Sequence, residues 1–133
     1  MKIESKIGSI PKSDETIYIF LTDFNNFKNI LPADKIKNWE ATTDQCSFEI
    51  EGLGKTGMKI IEKEPSKLIK LTAIEESTLK FFLWIQLKSV SENDTRIKIT
   101  IEPNLNPMMV TMVKGPLKKF VDSLVEQMEN FSF

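Results

Sequence analysis

The end of this chain constrains its fold more than any other segment. Asn106 to Phe131 reads as one amphipathic helix that follows a run of β-strands. Asn106 suits an N-cap, and Pro107 suits the first helical position, where its missing N–H is not needed. Leu117, Phe120, Leu124 and Met128 recur at helical spacing, with Val121 and Val125 beside them. Lys118, Lys119, Asp122, Glu126 and Glu129 take the other side. About 25 residues at ~1.5 Å rise make a rod of roughly 37 Å. An apolar stripe that long needs a long partner, and the strands before it supply one. The expectation is a sheet wrapped around a helix spanning 107–131. Gly115-Pro116 interrupts the pattern. Pro116 cannot donate to the Met112 carbonyl, so a kink or hinge is expected there.

Upstream, Lys2 to Ile10 alternates Ile3, Ser5 and Ile7 with charged residues and reads as a strand ended by Pro11. Ser13 suits the cap of a short helix, with Asp14 and Glu15 in its first turn and Ile17, Phe20 and Leu21 on one face. Tyr18 lies off that stripe, as an exposed or boundary ring. Phe24 to Leu31 reads as a second short helix stopped by Pro32. From Ile36 the period changes to two, predicting strands at 36–42, 45–51, 55–63, 67–75, 79–90 and 95–102. The breaks between them are short and rich in turn formers, as an antiparallel meander requires. Alternation turns Cys46, Phe48, Ile50, Met58, Ile60, Ile69, Leu71, Phe81, Leu83, Ile85, Leu87, Ile97, Ile99 and Ile101 toward the helix. The opposite face carries lysines and threonines, together with Phe82 and Trp84, which do not suit a purely solvated surface.

Composition narrows function by exclusion. The 133 residues suit one domain, 1–133, and 41% hydrophobic with 28% charged residues is ordinary for a soluble globular protein. A net charge of −1 gives no electrostatic case for nucleic acid or an anionic membrane. No apolar run reaches signal-peptide or membrane-spanning length, so a cytoplasmic protein without stable membrane insertion is expected. Cys46 is the only cysteine, and there is no histidine. Imidazole bases, Ser-His and Cys-His pairs and the usual zinc ligand sets are therefore excluded. No metal or cofactor is expected.

Gly52-Leu53-Gly54-Lys55-Thr56-Gly57 contains the Gly-Lys-Thr of a phosphate loop. The full pattern needs a glycine where Glu49 stands and a helix after the threonine, so a bend between strands is the better reading. Glu49/Glu51 and Glu75/Glu76 read as solvated carboxylates, since acid–base work needs a desolvated carboxyl. Cys46, inward and apolar, reads as a small buried hydrophobe. Met108, Met109 and Met112, with Met58, suit an adaptable apolar pocket.

The element order resembles the helix-grip fold of the SRPBCC superfamily, which includes START lipid-transfer domains, birch-pollen allergen proteins and polyketide cyclase/dehydrase proteins. The resemblance rests on the opening strand, the segment Ser13 to Phe24, and Leu105-Asn106-Pro107-Met108-Met109 leading into the last helix. Asp23-Phe24-Asn25-Asn26-Phe27 looks like the joint that closes one end of the sheet in bacterial members. The fold class implied is α+β, with a curved antiparallel sheet around the C-terminal helix and a tunnel for a hydrophobic ligand. Cyclase-like members place polar or ionisable groups in that tunnel, and no such inward set is visible here.

The expected function is non-enzymatic binding of a hydrophobic or amphipathic small molecule. Its lining would be Phe48, Met58, Ile60, Leu71, Phe81, Leu83, Ile99, Met109, Met112 and Phe120. A co-chaperone-like interaction module and a cyclase-like enzyme using Tyr18 or a buried carboxylate are the alternatives. Ile61, Ile74, Phe82 and Trp84 are expected to form an outer apolar patch suited to a homodimer or partner contact.

Overall fold

The computed structural model describes residues 1–31, 34, 36–51 and 54–133. Among these, the chain runs β1 (Ile3–Glu4), β2 (Gly8–Ile10), α1 (Asp14–Leu21), a 3₁₀ turn (Phe24–Asn29), β3 (Ile36–Ala41), β4 (Gln45–Ile50), β5 (Gly54–Glu64), β6 (Leu68–Ala73), β7 (Phe81–Ser91), β8 (Asp94–Pro103) and α2 (Pro107–Asn130). The strands form one antiparallel sheet in the order β1-β8-β7-β6-β5-β4-β3, and β2 also pairs with β8. α1 and the 3₁₀ turn carry the chain from the β1–β2 edge to the β3 edge. Pro32, expected to stop the second helix, lies outside the described residues.

The caps explain where the helices begin. Ser13 and Asn106 both have extended backbone, and their side-chain oxygens accept from the N–H groups of Thr16 and Met109. α2 buries Leu117, Phe120, Val121, Leu124, Val125 and Met128, the stripe read from sequence, and also Val110, which that reading did not include. It stays helical past Pro116 and has Phe131 as its C-cap. The second short helix takes the tighter 3₁₀ form, with Asp23 accepting from the Asn25 N–H at 2.9 Å.

The first strand departs from expectation. Register passes from Glu4↔Thr100 to Gly8↔Ile97, which is four residues on one strand against three on the other. The extra residue splits the expected strand in two and reverses its alternation, so Ile3, Gly8 and Ile10 point inward and Ile7 is exposed. Ser5 fills the gap, its N–H donating to the Ile99 carbonyl at 2.7 Å and its hydroxyl accepting from the Ile99 N–H at 2.8 Å. Gly8 is required there, because a Cβ would collide with Val125 Cγ1 of α2.

β5 carries a second slip. Ile60 faces Leu71 while Glu62 faces Lys70, leaving Ile61 as the extra residue. Beyond it Lys63 sits opposite the buried Ile69, on the face that alternation alone denies it. Elsewhere the inward rows run as read. Ile60, Leu71, Leu83, Ile101 and Ile3 share one row across the sheet, and Cys46, Met58 and Ala73 share another.

Candidate functional site

One end of the sheet is plugged. At the plugged end the Phe24 N–H donates to the Thr43 carbonyl at 3.1 Å, bringing the 3₁₀ turn under the β3–β4 turn. Ile17, Leu21, Phe24, Phe27 and Ile30 are buried there, and the Phe24 and Phe27 rings lie 4.7 Å apart. The joint expected at Asp23–Phe27 therefore does close this end. The C-terminus of α2 reaches the same end, where Phe131 and Phe133 pack on Phe20 at 4.9 and 5.0 Å.

At the other end lie the start of β3, the end of β4, the turn 74–80 and the link 104–106 into α2. The turn 74–80 is held firmly. Lys80 Nζ donates to the carbonyls of Ile74 and Glu75, Ser77 Oγ donates to the Leu79 carbonyl, and the Thr78 N–H donates to the Lys55 carbonyl. Partly exposed apolar side chains collect at this end or on the elements leading to it: Ile36, Trp39, Leu105 and Val113, all packed against the core. Trp39 stacks on Phe48 at 5.6 Å, and Phe48 on Phe120 at 6.5 Å. This aromatic column bridges from the β3 edge to α2.

The structure sorts the expected lining into three groups. Phe48, Met58, Leu71, Phe81, Leu83, Ile99 and Phe120 are buried on the concave side, and Ile60 is partly buried beside them. Met58, Leu71, Leu83 and Ile99 have almost no surface left, so they form a packed floor. Met109 and Met112 do not join them. Met109 is 46% and Met112 76% exposed, because Val110 and Leu117 set the buried side of α2 and Met112 falls opposite it. Trp39, Leu105 and Val113, which the expected lining lacked, are partly buried against the core. The sequence reading missed Trp39 because β3 is irregular between Lys37 and Glu40, with Asn38 at φ 55°, and simple alternation fails across that step.

The chemistry of the interior is uniform. Among the described residues, the buried polar side chains are the hydroxyls of Ser5, Thr56, Ser77, Thr95 and Thr100. Burial pushes the Cys46 thiol up to about 12, only partly countered by a backbone hydrogen bond at Met58. At neutral pH it is a protonated, weakly polar group. Tyr18 is partly buried against the core.

Two other sequence features resolve plainly. Gly52 and Leu53 lie outside the described residues, but Lys55, Thr56 and Gly57 are part of β5, and Thr56 Oγ1 donates to the Gly54 carbonyl. A phosphate loop needs a helix at that point. On the outer face, Phe82 and Trp84 are neighbours, with ring centroids 6.1 Å apart. Lys70 Nζ lies 4.8 Å from the Phe82 ring and 5.4 Å from that of Trp84, and Lys2 Nζ lies 4.8 Å from Trp84. Phe82 is 40% exposed. Ile74 is only 7% exposed, because its side chain fills the space over Gly57, where a Cβ would collide with it. Ile74 therefore adds little to the expected patch, and Ile61 stands at the β5 bulge.

Comparison with solved structures places this architecture. A START superfamily protein from Mycobacterium smegmatis superimposes with a TM-score of 0.75 at 16% identity, covering 97% of this chain and 94% of that one. Thalictrum flavum norcoclaurine synthase, a point mutant solved with a transition-state analogue, gives a TM-score of 0.71 at 16% identity, covering 98% of this chain and 94% of that one. The di-domain ARO/CYC protein BexL gives 0.67 at 11% identity, covering 97% of this chain and 46% of that one. No family model matches the sequence, and neither does any curated protein. The chain has a START-like helix-grip fold. No described helix is long and apolar enough to cross a membrane.

Proposed function

We propose that this protein binds one apolar or amphipathic small molecule without transforming it, at the end of the grip opposite the 3₁₀ turn. The ligand would rest on the Trp39–Phe48–Phe120 column, between β3–β4 and the first half of α2. The observation that carries the reading is the character of the concave side. It is apolar, no charged side chain is among the described buried residues, and its one thiol is protonated. Such a surface recognises by shape and desolvation. General acid–base chemistry would need a titrating group near neutral pH in contact with the ligand.

Saturable binding of an environment-sensitive fatty probe tests this. Val113→Trp should fill the mouth and weaken binding, while Met112→Trp, on the solvent side of α2, should leave it unchanged. Native mass spectrometry of protein purified from its own host should show a retained adduct. Absence of any saturable probe binding, with folding intact, would overturn the reading.

A further inference from the structure

The described buried hydroxyls divide by position. Thr100 faces Trp84 in the register of β7 and β8, so it belongs to the outer face. Ser5 fills the slip between β1 and β2, and Thr95 donates to the Lys12 carbonyl beside the β7–β8 hairpin. Thr56 and Ser77 remain, both toward the end opposite the 3₁₀ turn. Thr56 faces Phe48 in the register of β4 and β5, and both side chains are buried, so they share the concave face. Side chains opposed in this way have Cβ atoms about 5 Å apart. Thr56 is therefore the hydroxyl beside the aromatic column. Its charged neighbours in the same register, Glu49 and Lys55, face each other on the opposite side of the sheet. The row ends at Thr56, because the chain after β6 turns back there, with the Thr78 N–H donating to the Lys55 carbonyl at 2.9 Å. Ser77 sits in that turn.

Both hydroxyls have already placed their hydrogens. Thr56 Oγ1 donates to the Gly54 carbonyl at 3.3 Å, and Ser77 Oγ to the Leu79 carbonyl at 2.8 Å. A hydroxyl has one hydrogen and two lone pairs, so each can still accept and has no second hydrogen to give. An ionised head brought against this surface would lose its water and meet no buried counter-charge among the described residues. We propose that the ligand carries an uncharged head that donates a hydrogen bond to Thr56 Oγ1, with its apolar body on Phe48 and Phe120. An alcohol or an amide N–H fits that acceptor. A carboxylate, a phosphate or an ether does not. The assignment rests on the proposed function and gives that site a class of ligand.

The test is displacement of Nile red, an uncharged polarity-sensitive probe, by dodecanol, dodecyl methyl ether and dodecanoate at neutral pH. Dodecanol keeps the donor, the ether caps it, and dodecanoate is ionised. The preference for dodecanol over the ether should be greater in the parent than in Thr56→Val by about threefold to tenfold. Comparing preferences between the two proteins cancels the difference in water solubility of the two chains. Thr56→Ser, which keeps the hydroxyl, should keep the parent's preference. Dodecanoate should be the weakest competitor of the three. Thermal unfolding like the parent's identifies the variants that are folded. The parent alone also decides, because dodecanoate displacing the probe as well as dodecanol overturns an uncharged head. A preference unchanged or increased in Thr56→Val overturns Thr56 as the acceptor, and so does its loss in Thr56→Ser. Saturable Nile red binding with any of these results removes the head-group assignment alone. Folded parent with no saturable Nile red binding removes the proposed function itself.

Discussion

The backbone N–H of Lys6 donates to Asp122 Oδ1 across 2.7 Å, joining the gap between β1 and β2 to the middle of α2. The register slip leaves residues 5–7 without a regular ladder, so their N–H groups need other acceptors. Asp122 takes one, and Glu129 takes the Ser9 N–H at 2.9 Å. Carboxylates on the polar side of α2 thus complete the hydrogen bonding of the sheet's first edge.

This latch should make stability depend on acid. Burial raises the Asp122 carboxyl, but the Lys6 N–H and Lys118 outweigh that and hold it below the ordinary value. A carboxyl that titrates lower in the folded than in the unfolded chain stabilises fully above the unfolded value, ~3.9. The contribution disappears as pH falls from there through the lower folded value. Asp122→Ala should cost about 1–2 kcal/mol at neutral pH. Asp122→Asn should cost less and flatten the acid limb of denaturant midpoint against pH. An unchanged acid limb in both variants would show that the latch carries no stability.

Gly8 should tolerate no side chain. Val125 Cγ1 and Ile97 Cγ2 already occupy the space a Cβ would enter. Gly8→Ala should destabilise by about 1–3 kcal/mol through overpacking, measured by urea unfolding. Gly115→Ala meets no atom of the described residues within 4 Å and should be neutral or slightly stabilising, since alanine favours a helix interior.

Phe120 joins α2 to the concave sheet through its stack on Phe48. Phe120→Ala should cost about 3–5 kcal/mol. A loss below ~0.5 kcal/mol would mean that the ring is not part of the packed core.

Much of this was legible in sequence because the signals were periodic. The α2 stripe, its Asn106-Pro107 start, the meander and the inward rows from Cys46 to Ile101 follow from periods of 3.6 and two. What failed was local and aperiodic. The slips at residues 4–8 and at Ile61, and the irregular step at Asn38, each reverse alternation by one residue, and no composition signal marks them. Ile7, Lys63 and Trp39 were misplaced or passed over for that reason. Met109 and Met112 failed differently. Methionines near a helix start are compatible with either side, and the buried side is set by Val110 and Leu117. The candidate site was therefore legible as an apolar interior, but not as a mouth built around Trp39.

Cys46 should be inert while the protein is folded. Its thiol is buried between β3 and β5 and pushed up to about 12. Iodoacetamide at neutral pH should label it only after denaturation. Labelling of the native protein at the rate of a free thiol would show that the β3–β4 edge opens.

Trp39 should report on the site from within it. The chain has two tryptophans, so Trp84→Phe leaves Trp39 as the sole indole. Trp84 sits on the outer face beneath Lys2 and Lys70, away from the concave side. Trp39 stacks on Phe48, so a ligand resting on the aromatic column must change the indole's surroundings. Titration with a non-fluorescent fatty ligand should shift Trp39 emission and saturate with the probe-binding curve. Trp39→Phe, which keeps Trp84, should show no shift. An equal response from Trp84 alone would place the ligand on the outer face and count against a site at the mouth of the grip.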